Sequence, residues 1–394
     1  MSALETDIAI AGAGMVGSCA AHALAANGLR VALIEAQPPP ADPPPADAAY
    51  DLRVSAISPR SRAILEHLGV WQQLDAARLC DYQKMHIWHQ HGNASVGFDA
   101  VELAREYLGT IVENRQLQQA LYRVCERQST IEWFTPDRIA AIETNHGDGV
   151  ELRLESGARI AAQLLIAADG RNSPTRELVG IDAQAGRYRQ TAIVANVDTE
   201  KAHRETAWQR FLATGPLAFL PLANGQSSIV WSCDDDAVEA LLAADEAAFC
   251  EALGDAFEYR LGRVVHAGER ASFPLGWHYC ERWLAGRVLL IGDAAHGVHP
   301  LAGQGVNLGF SDVELLARLL RSRADLGSRS LLRRYERRRK SETRVATASF
   351  SALKWIYGNQ QILVSGARDL GMRAVEATPW LKRSLMRRAI ENLT

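Results

Sequence analysis

The sequence predicts an α/β chain in three parts: a Rossmann-like dinucleotide-binding domain, an antiparallel sheet inserted into it, and a helical C-terminal tail. Three observations carry this prediction. A glycine triplet stands between an apolar strand and an alanine-rich helix near the start (DIAIAGAGMVG), and a second apolar strand runs into Gly-Asp near residue 292 (VLLIGDAAH). Between them, from Thr191 to about Arg270, the texture changes to strands rich in aromatics (ETAWQRF, GPLAFLPL, SSIVWSC). An antiparallel unit set between two pieces of a parallel one has this order.

The first element is a short buried strand over residues 8–10. Gly12-Ala13-Gly14-Met15-Val16-Gly17 follows, and then a helix from about Val16 to Asn27 that Gly28 stops. Gly12 lets the turn form, Gly14 lets a pyrophosphate approach the backbone, and Gly17 lets the helix pack close to the strand. The phosphate oxygens would then meet free N–H groups at the positive end of a helix dipole. GxGxxG alone is equally a structural turn. Here the next strand, LRVALIEA, ends at Glu35, about 20 residues on, where a carboxylate can accept hydrogen bonds from ribose hydroxyls. Together they indicate a dinucleotide without saying which.

The proline-rich stretch AQPPPADPPPADAAY is expected as an extended surface connector. In DLRVSAISPRSRAILEHLGVW, Ser58 and Pro59 are expected as N-cap and first residue of a helix with Ile64, Leu65 and Leu68 on its apolar face. Arg53, just upstream, is either a surface ion-pair partner or a cation reaching the cofactor phosphates. Residues 81–99 alternate as strands and carry His86, His89 and His91. These are expected as polar-face histidines, with no metal site. IVENRQLQQALYRVCERQ reads as a helix with Leu117 and Leu121 inward and Arg115 near its start. GVELRLESGARIAAQLLIAADG reads as a hairpin turned at Ser156-Gly157 and a buried strand ending at Asp169-Gly170. A helix is expected over residues 236–254, and the tail from about residue 328 is helical with a basic run, LLRRYERRRKSETR.

Composition narrows the function classes. Apolar residues make up 47% and charged residues 23% of 394, and the formal net charge is −3, so no overall field favours nucleic acid. Cys19, Cys80, Cys125, Cys233, Cys250 and Cys280 are scattered singly, which encodes neither a zinc site nor a disulfide framework and suits a reducing cytoplasm. Residues 8–27 hold no Asp, Glu, Lys or Arg, but the acidic MSALETD before them and their Gly/Ala content argue against a signal peptide or anchor. A cytoplasmic location is expected.

In the stretch GRVLLIGDAAHGVHP, Gly292-Asp293 closes a second strand, where an Asp can bond ribityl or ribose hydroxyls. GQGVNLGF then opens a helix whose small first turn lets a flat ring approach its N–H groups. A phosphate end and a ring end separated by about 280 residues are a feature of FAD enzymes rather than NAD dehydrogenases.

Gly12/Gly14/Gly17 with Glu35, AADG at 167–170, and GDAAHGVHPLAGQGVNLG at 292–309 resemble the single-component (class A) flavoprotein aromatic hydroxylases. DLRVSAIS, IVENRQLQQAL, AWQRF with GPLAFLPL, and HPLAGQGVNLG resemble most the ubiquinone-biosynthesis hydroxylase family, over residues 8 to about 332. The resemblance implies a Rossmann-like FAD-binding domain in three parts (1–80, 101–180, 273–327), a substrate domain made of strands 81–100 and the insert 181–272, and a C-terminal helical region, 328–394. It implies FAD pyrophosphate at Gly12, Gly14 and Gly17, and ribose at Glu35. Arg53 and Arg115 would contact the phosphate or ribityl region. Asp169 would serve both FAD and reduced nicotinamide, Gly292-Asp293 the ribityl chain, and Gly303, Gln304, Gly305 and Asn307 the isoalloxazine. His296 and His299 belong to the same motif. Pro300 and Gln304 are the candidates nearest the reacting atoms.

The implied activity is hydroxylation of a polyprenylated phenol or quinol, at C6 ahead of C5, with NAD(P)H as co-substrate and O₂, through a flavin C4a-hydroperoxide. The alternatives are another aromatic substrate or a non-catalytic flavoprotein in a biosynthetic complex. Trp208, Phe211, Phe219, Leu220 and Trp231 are read either as lining an apolar substrate channel or as core. The basic tail is read either as resting on an anionic inner-membrane surface or another quinone-biosynthesis protein, or as a solvated helix face.

Overall fold

The computed structural model describes residues 3–38, 48–90, 94–147, 149–297, 305–321, 324–358 and 362–391. A parallel sheet forms its first layer, in the order Val288–Leu290, Arg159–Ala167, Leu4–Ala11, Val31–Ile34, Ile131–Phe134. Strands covered on both faces need continuous apolar runs, and VALI, LLIA and VLL supply them; Ile8, Leu33, Leu164 and Leu289 are fully buried. Helix Met15–Ala26 packs on this sheet and against helices Asn114–Glu126 and Gly305–Leu320. Gly28, at φ +86°, ends the first helix. Gly157, at φ +88°, turns the hairpin that leads into Arg159–Ala167.

A second sheet runs His296–Gly297, Ala271–Cys280, Ala183–Thr199, Ser227–Asp234, Gly215–Pro221, Thr206–Leu212, Lys84–His89, Ser95–Asp99. It departs from the expected antiparallel pattern at one pair, Thr206–Leu212 with Lys84–His89, which is parallel. The two strands come from distant parts of the chain, so no hairpin dictates their direction. The helix expected over 236–254 is two, Asp235–Ala243 and Glu246–Ala256. Asp245 accepts a hydrogen bond from Ala248 N at 2.8 Å and so starts a new helix in mid-segment.

The helix expected from residue 111 begins at Asn114, because Ile111 and Val112 belong to strand Gly109–Glu113, which pairs with Val54–Ile57. Ser58 caps helix Pro59–His67 as expected, its hydroxyl accepting from Ser61 N at 3.2 Å. The tail forms helices Arg329–Gly358, Ile362–Ala377 and Pro379–Glu391. Among the described residues no helix is long and apolar enough to cross a membrane.

Candidate active site

Motifs far apart in sequence meet at the carboxyl ends of four adjacent parallel strands. Gly12 N donates to Ile34 O (2.8 Å), Ala168 N to Ala11 O (2.8 Å), and Ile291 N to Ala167 O (3.0 Å). Glu35, Gly12, Asp169 and Gly292-Asp293 therefore form one row. The chain leaves Leu4–Ala11 toward Val31–Ile34 on one side and later returns to Arg159–Ala167 on the other. In parallel α/β sheets such a switch point opens the crevice where ligands bind.

At the first strand end each glycine answers a different constraint. Gly12 has φ +95°, and a Cβ there would stand 2.6 Å from Ala168 O. A Cβ at Gly17 would overlap Gly12 O. Gly14 differs: it is the N-cap of the first helix, has no side-chain cap, and faces open space. Helix N–H groups lacking a capping side chain, beside an open volume and a crowded turn, fit a phosphate. Glu35 closes this end: one carboxylate oxygen accepts from Ala13 N (2.6 Å) and the other from Gln37 N (2.9 Å). Each oxygen keeps lone-pair capacity for a ribose hydroxyl. Gln118, which the sequence reading missed, donates its side-chain amide to Ala13 O and braces the turn.

Arg53 and Arg115 are brought together. Asn114 N donates to Arg53 O (2.9 Å) at the end of the Val54–Ile57 pairing, and both arginines are exposed. Behind them the buried Arg78 donates to both carboxylate oxygens of Glu113 (2.8 and 2.9 Å), whose Oε1 also accepts from Asp51 N (2.8 Å). Asn196 of the second sheet donates to Tyr50 O (2.8 Å). The segment carrying Arg53 is thus fastened to strand Gly109–Glu113 and to the second sheet.

Asp169 accepts from Ser173 Oγ and from Thr175 N (2.9 Å), so part of its capacity fixes the turn into helix Pro174–Leu178. Asp293 is exposed, and its backbone carbonyl accepts from His278 Nε2 at 2.5 Å. Gly292 has φ +54° and donates its N–H to Asp312 Oδ2 at 2.8 Å. The same oxygen lies 2.8 Å from His296 Nε2, and Oδ1 accepts from Arg339 Nε at 2.6 Å. Arg339 also donates to Leu308 O (3.0 Å). Asp312 is 0% and Arg339 2% exposed. Burial pushes the Asp312 carboxyl up, but the Arg339 guanidinium and His296 outweigh it and hold its pKa at about 2.

This network was absent from the sequence reading. The available signal was a charged residue on the apolar stripe of GFSDVELLARLL, in line with Leu308, Leu315 and Leu319.

Gly305 begins the helix expected beside the ring. Asn307 is buried and its amide is already engaged, donating to Ala56 O (2.8 Å) and accepting from Ser58 N (3.0 Å). It holds this helix against the Pro59–His67 cap. His299, Pro300, Gly303 and Gln304 lie outside the described residues.

Three of the aromatics read as channel or core are core. Trp208, Phe219 and Trp231 pack with Val238, Phe249 and Phe257 on the helix-covered face of the second sheet, while Leu220 joins Ala207 and Ala218 on the other. Strand alternation divides the set. Among the remaining histidines, the His86 ring packs tilted against Trp208 (5.1 Å between centroids), and His89 Nε2 lies 2.6 Å from Asp369 of helix Ile362–Ala377. His91 lies outside the described residues.

The FAD binding domain family model matches residues 5–349. A 3-demethoxyubiquinol 3-hydroxylase of Escherichia coli is 36% identical over 99% of this chain and 100% of its own. A ubiquinone hydroxylase of Rhodospirillum rubrum is 37% identical over 98% of this chain and 90% of its own. The structure of p-nitrophenol 4-monooxygenase from Pseudomonas putida superposes with a TM-score of 0.77 at 17% identity, covering 100% of both chains, which shows a shared fold.

Proposed function

We propose that this chain, which belongs to the FAD-dependent hydroxylases of ubiquinone biosynthesis, hydroxylates the ring of a polyprenylated phenol or quinol at C6, with C5 the next choice. It is an FAD-dependent monooxygenase; NADH or NADPH as reductant is part of the proposal. So is a cytoplasmic location at the inner-membrane surface. The observation that carries the reading is the row of Glu35, Gly12, Asp169 and Asp293 across four strand ends, in a chain whose relatives of near-equal length bear ubiquinone-hydroxylase names.

When bound, FAD supplies the redox chemistry that activates O₂ and delivers one oxygen atom to the ring. The rest falls to the protein. The Gly12–Gly17 turn and the first helix bind the pyrophosphate, and Glu35 accepts the adenosine ribose hydroxyls. Arg53 and Arg115, neighbours at the end of the Val54–Ile57 pairing, would offset phosphate charge. Asp169 lies near the nicotinamide approach, and Asp293 bonds the ribityl hydroxyls. Gly305 would offer its backbone N–H to the ring edge, and the family resemblance alone assigns Gly303 to the ring and Gln304 and Pro300 to the neighbourhood of the reacting atoms. Asn307 acts by fixing the helix rather than by touching the ring. The second sheet excludes water from the reacting face.

Two results are expected. Asp293→Ala should purify with little flavin absorbance while remaining folded, since the exposed carboxylate serves no packing role; full flavin retention would remove Asp293 from the site. In cells lacking the protein, mass spectrometry should find one prenylated ring short of a single hydroxyl. A normal quinone profile would move the substrate elsewhere among aromatic compounds, and flavin binding without substrate-stimulated NAD(P)H oxidation would mark a non-catalytic component.

A further inference from the structure

The last two helices are firmly seated on one side. Met372 packs with Ala94 and Val96, and Met386 with Tyr82, Ala100 and Leu108. Two of their acidic residues are engaged on that side: Asp369 meets His89, and Glu376 Oε2 accepts from Gly97 N (3.1 Å) while its other oxygen lies 3.2 Å from Lys382 Nζ. Lys382 is itself buried, 2.8 Å from Glu102.

The opposite side is of another character. On helix Ile362–Ala377, Leu370, Arg373, Ala374 and Ala377 follow i, i+3, i+4, i+7 spacing and are exposed, Leu370 at 71%. On helix Pro379–Glu391, Trp380 is 69% exposed, with Arg383 and Arg387 at i+3 and i+7. Arg373, Arg383 and Arg387 make no ion pair among the described residues, and these outward positions include no acidic side chain.

We propose that this outward face of the two C-terminal helices is a docking surface for an anionic phospholipid bilayer, with Trp380 and Leu370 as interfacial anchors. Its two signals are independent. Unpaired arginines complement the negative potential of anionic headgroups. A tryptophan exposed at 69% suits the headgroup level, where an apolar ring and a polar N–H are both accommodated. Neither helix is apolar enough to span, so the contact lies in the interface plane. The inference deepens the proposed function and rests on its prenylated substrate, which would dissolve in the bilayer.

The test is co-sedimentation of the flavin-loaded full chain with vesicles of phosphatidylcholine plus phosphatidylglycerol, against pure phosphatidylcholine, without substrate. Partition to the anionic vesicles alone is expected. It should fall about a hundredfold in the triple variant Arg373→Gln/Arg383→Gln/Arg387→Gln and clearly in Trp380→Ser, with flavin content unchanged in both.

Equal partition of wild type and variants overturns the proposal. So does loss of binding only when Arg334 and Arg337 of helix Arg329–Gly358 are replaced, which would make the basic run the contact. A wild type that ignores vesicles, but whose particle mass drops on Trp380→Ser, assigns the face to a second copy of the chain. Turnover of a water-soluble, short-chain quinol, measured separately, distinguishes failure of the docking surface from failure of the substrate reading.

Discussion

Asp312→Ala is expected to destabilise the folded chain by up to about 3–5 kcal/mol, because it removes one member of a buried ion pair and leaves the Arg339 guanidinium only the partly exposed Glu342 as counter-charge. Arg339 would keep its place between Glu342 and Leu308 O but lose the carboxylate at 2.6 Å, and Gly292 N–H would lose its acceptor. Thermal unfolding and flavin titration should both register the change. Asp312→Asn provides the control: its side-chain oxygen can still accept from one donor, so it should fold better than the alanine variant while binding FAD more weakly than wild type. Wild-type thermal stability in an Asp312→Ala protein would mean that the ion pair contributes little.

The pH dependence follows from the sign of the shift. Asp312 titrates at about 2 in the folded chain against an ordinary 3.8. Its contribution is complete above the ordinary value and is lost only as pH falls from there through about 2. Between pH 5 and 8 the Asp312 carboxyl itself should add no slope to stability.

Gly17→Ala is the second large effect. Its Cβ would overlap Gly12 O, a backbone atom that cannot rotate aside, so the first helix must lift from the strand. Overpacking of this kind costs roughly 1–3 kcal/mol and sometimes more, and the phosphate turn would open with it. Gly14→Ala should behave differently, since nothing lies within 4 Å of the new methyl group. That variant is expected to unfold at the wild-type temperature yet bind FAD weakly, because the methyl group would occupy the volume reserved for the pyrophosphate. Should Gly14→Ala bind FAD normally, the phosphate does not lie over that helix end.

The contrast between those two glycines shows what was legible in the sequence. Gly12 and Gly17 are dictated by close backbone contact, a constraint local enough to leave a pattern, and Glu35 and Asp293 stand at strand ends that apolar runs announce. Asp312 and Arg339 are 27 residues apart on different helices, and only folding pairs them. The faces of the second sheet were illegible for a different reason. In SSIVWSC nearly every residue is buried, so the polar-apolar alternation that would separate the helix side from the cleft side is missing. A helix start was readable where a capping side chain is followed by proline, as at Ser58-Pro59. The break at Asp245 was missed because Asp-Glu fits inside a helix as well as at its start.

The bond between Arg339 and Asp312 also orders events in time. Synthesis delivers Gly12, Gly14 and Gly17 first and Arg339 more than three hundred residues later. A nascent or truncated chain ending before Arg339 has the phosphate turn in sequence but an Asp312 carboxylate without its guanidinium partner under Gly292, so its pocket is unfinished. Flavin capture is then expected late in maturation, after the segment carrying Arg339 has been made.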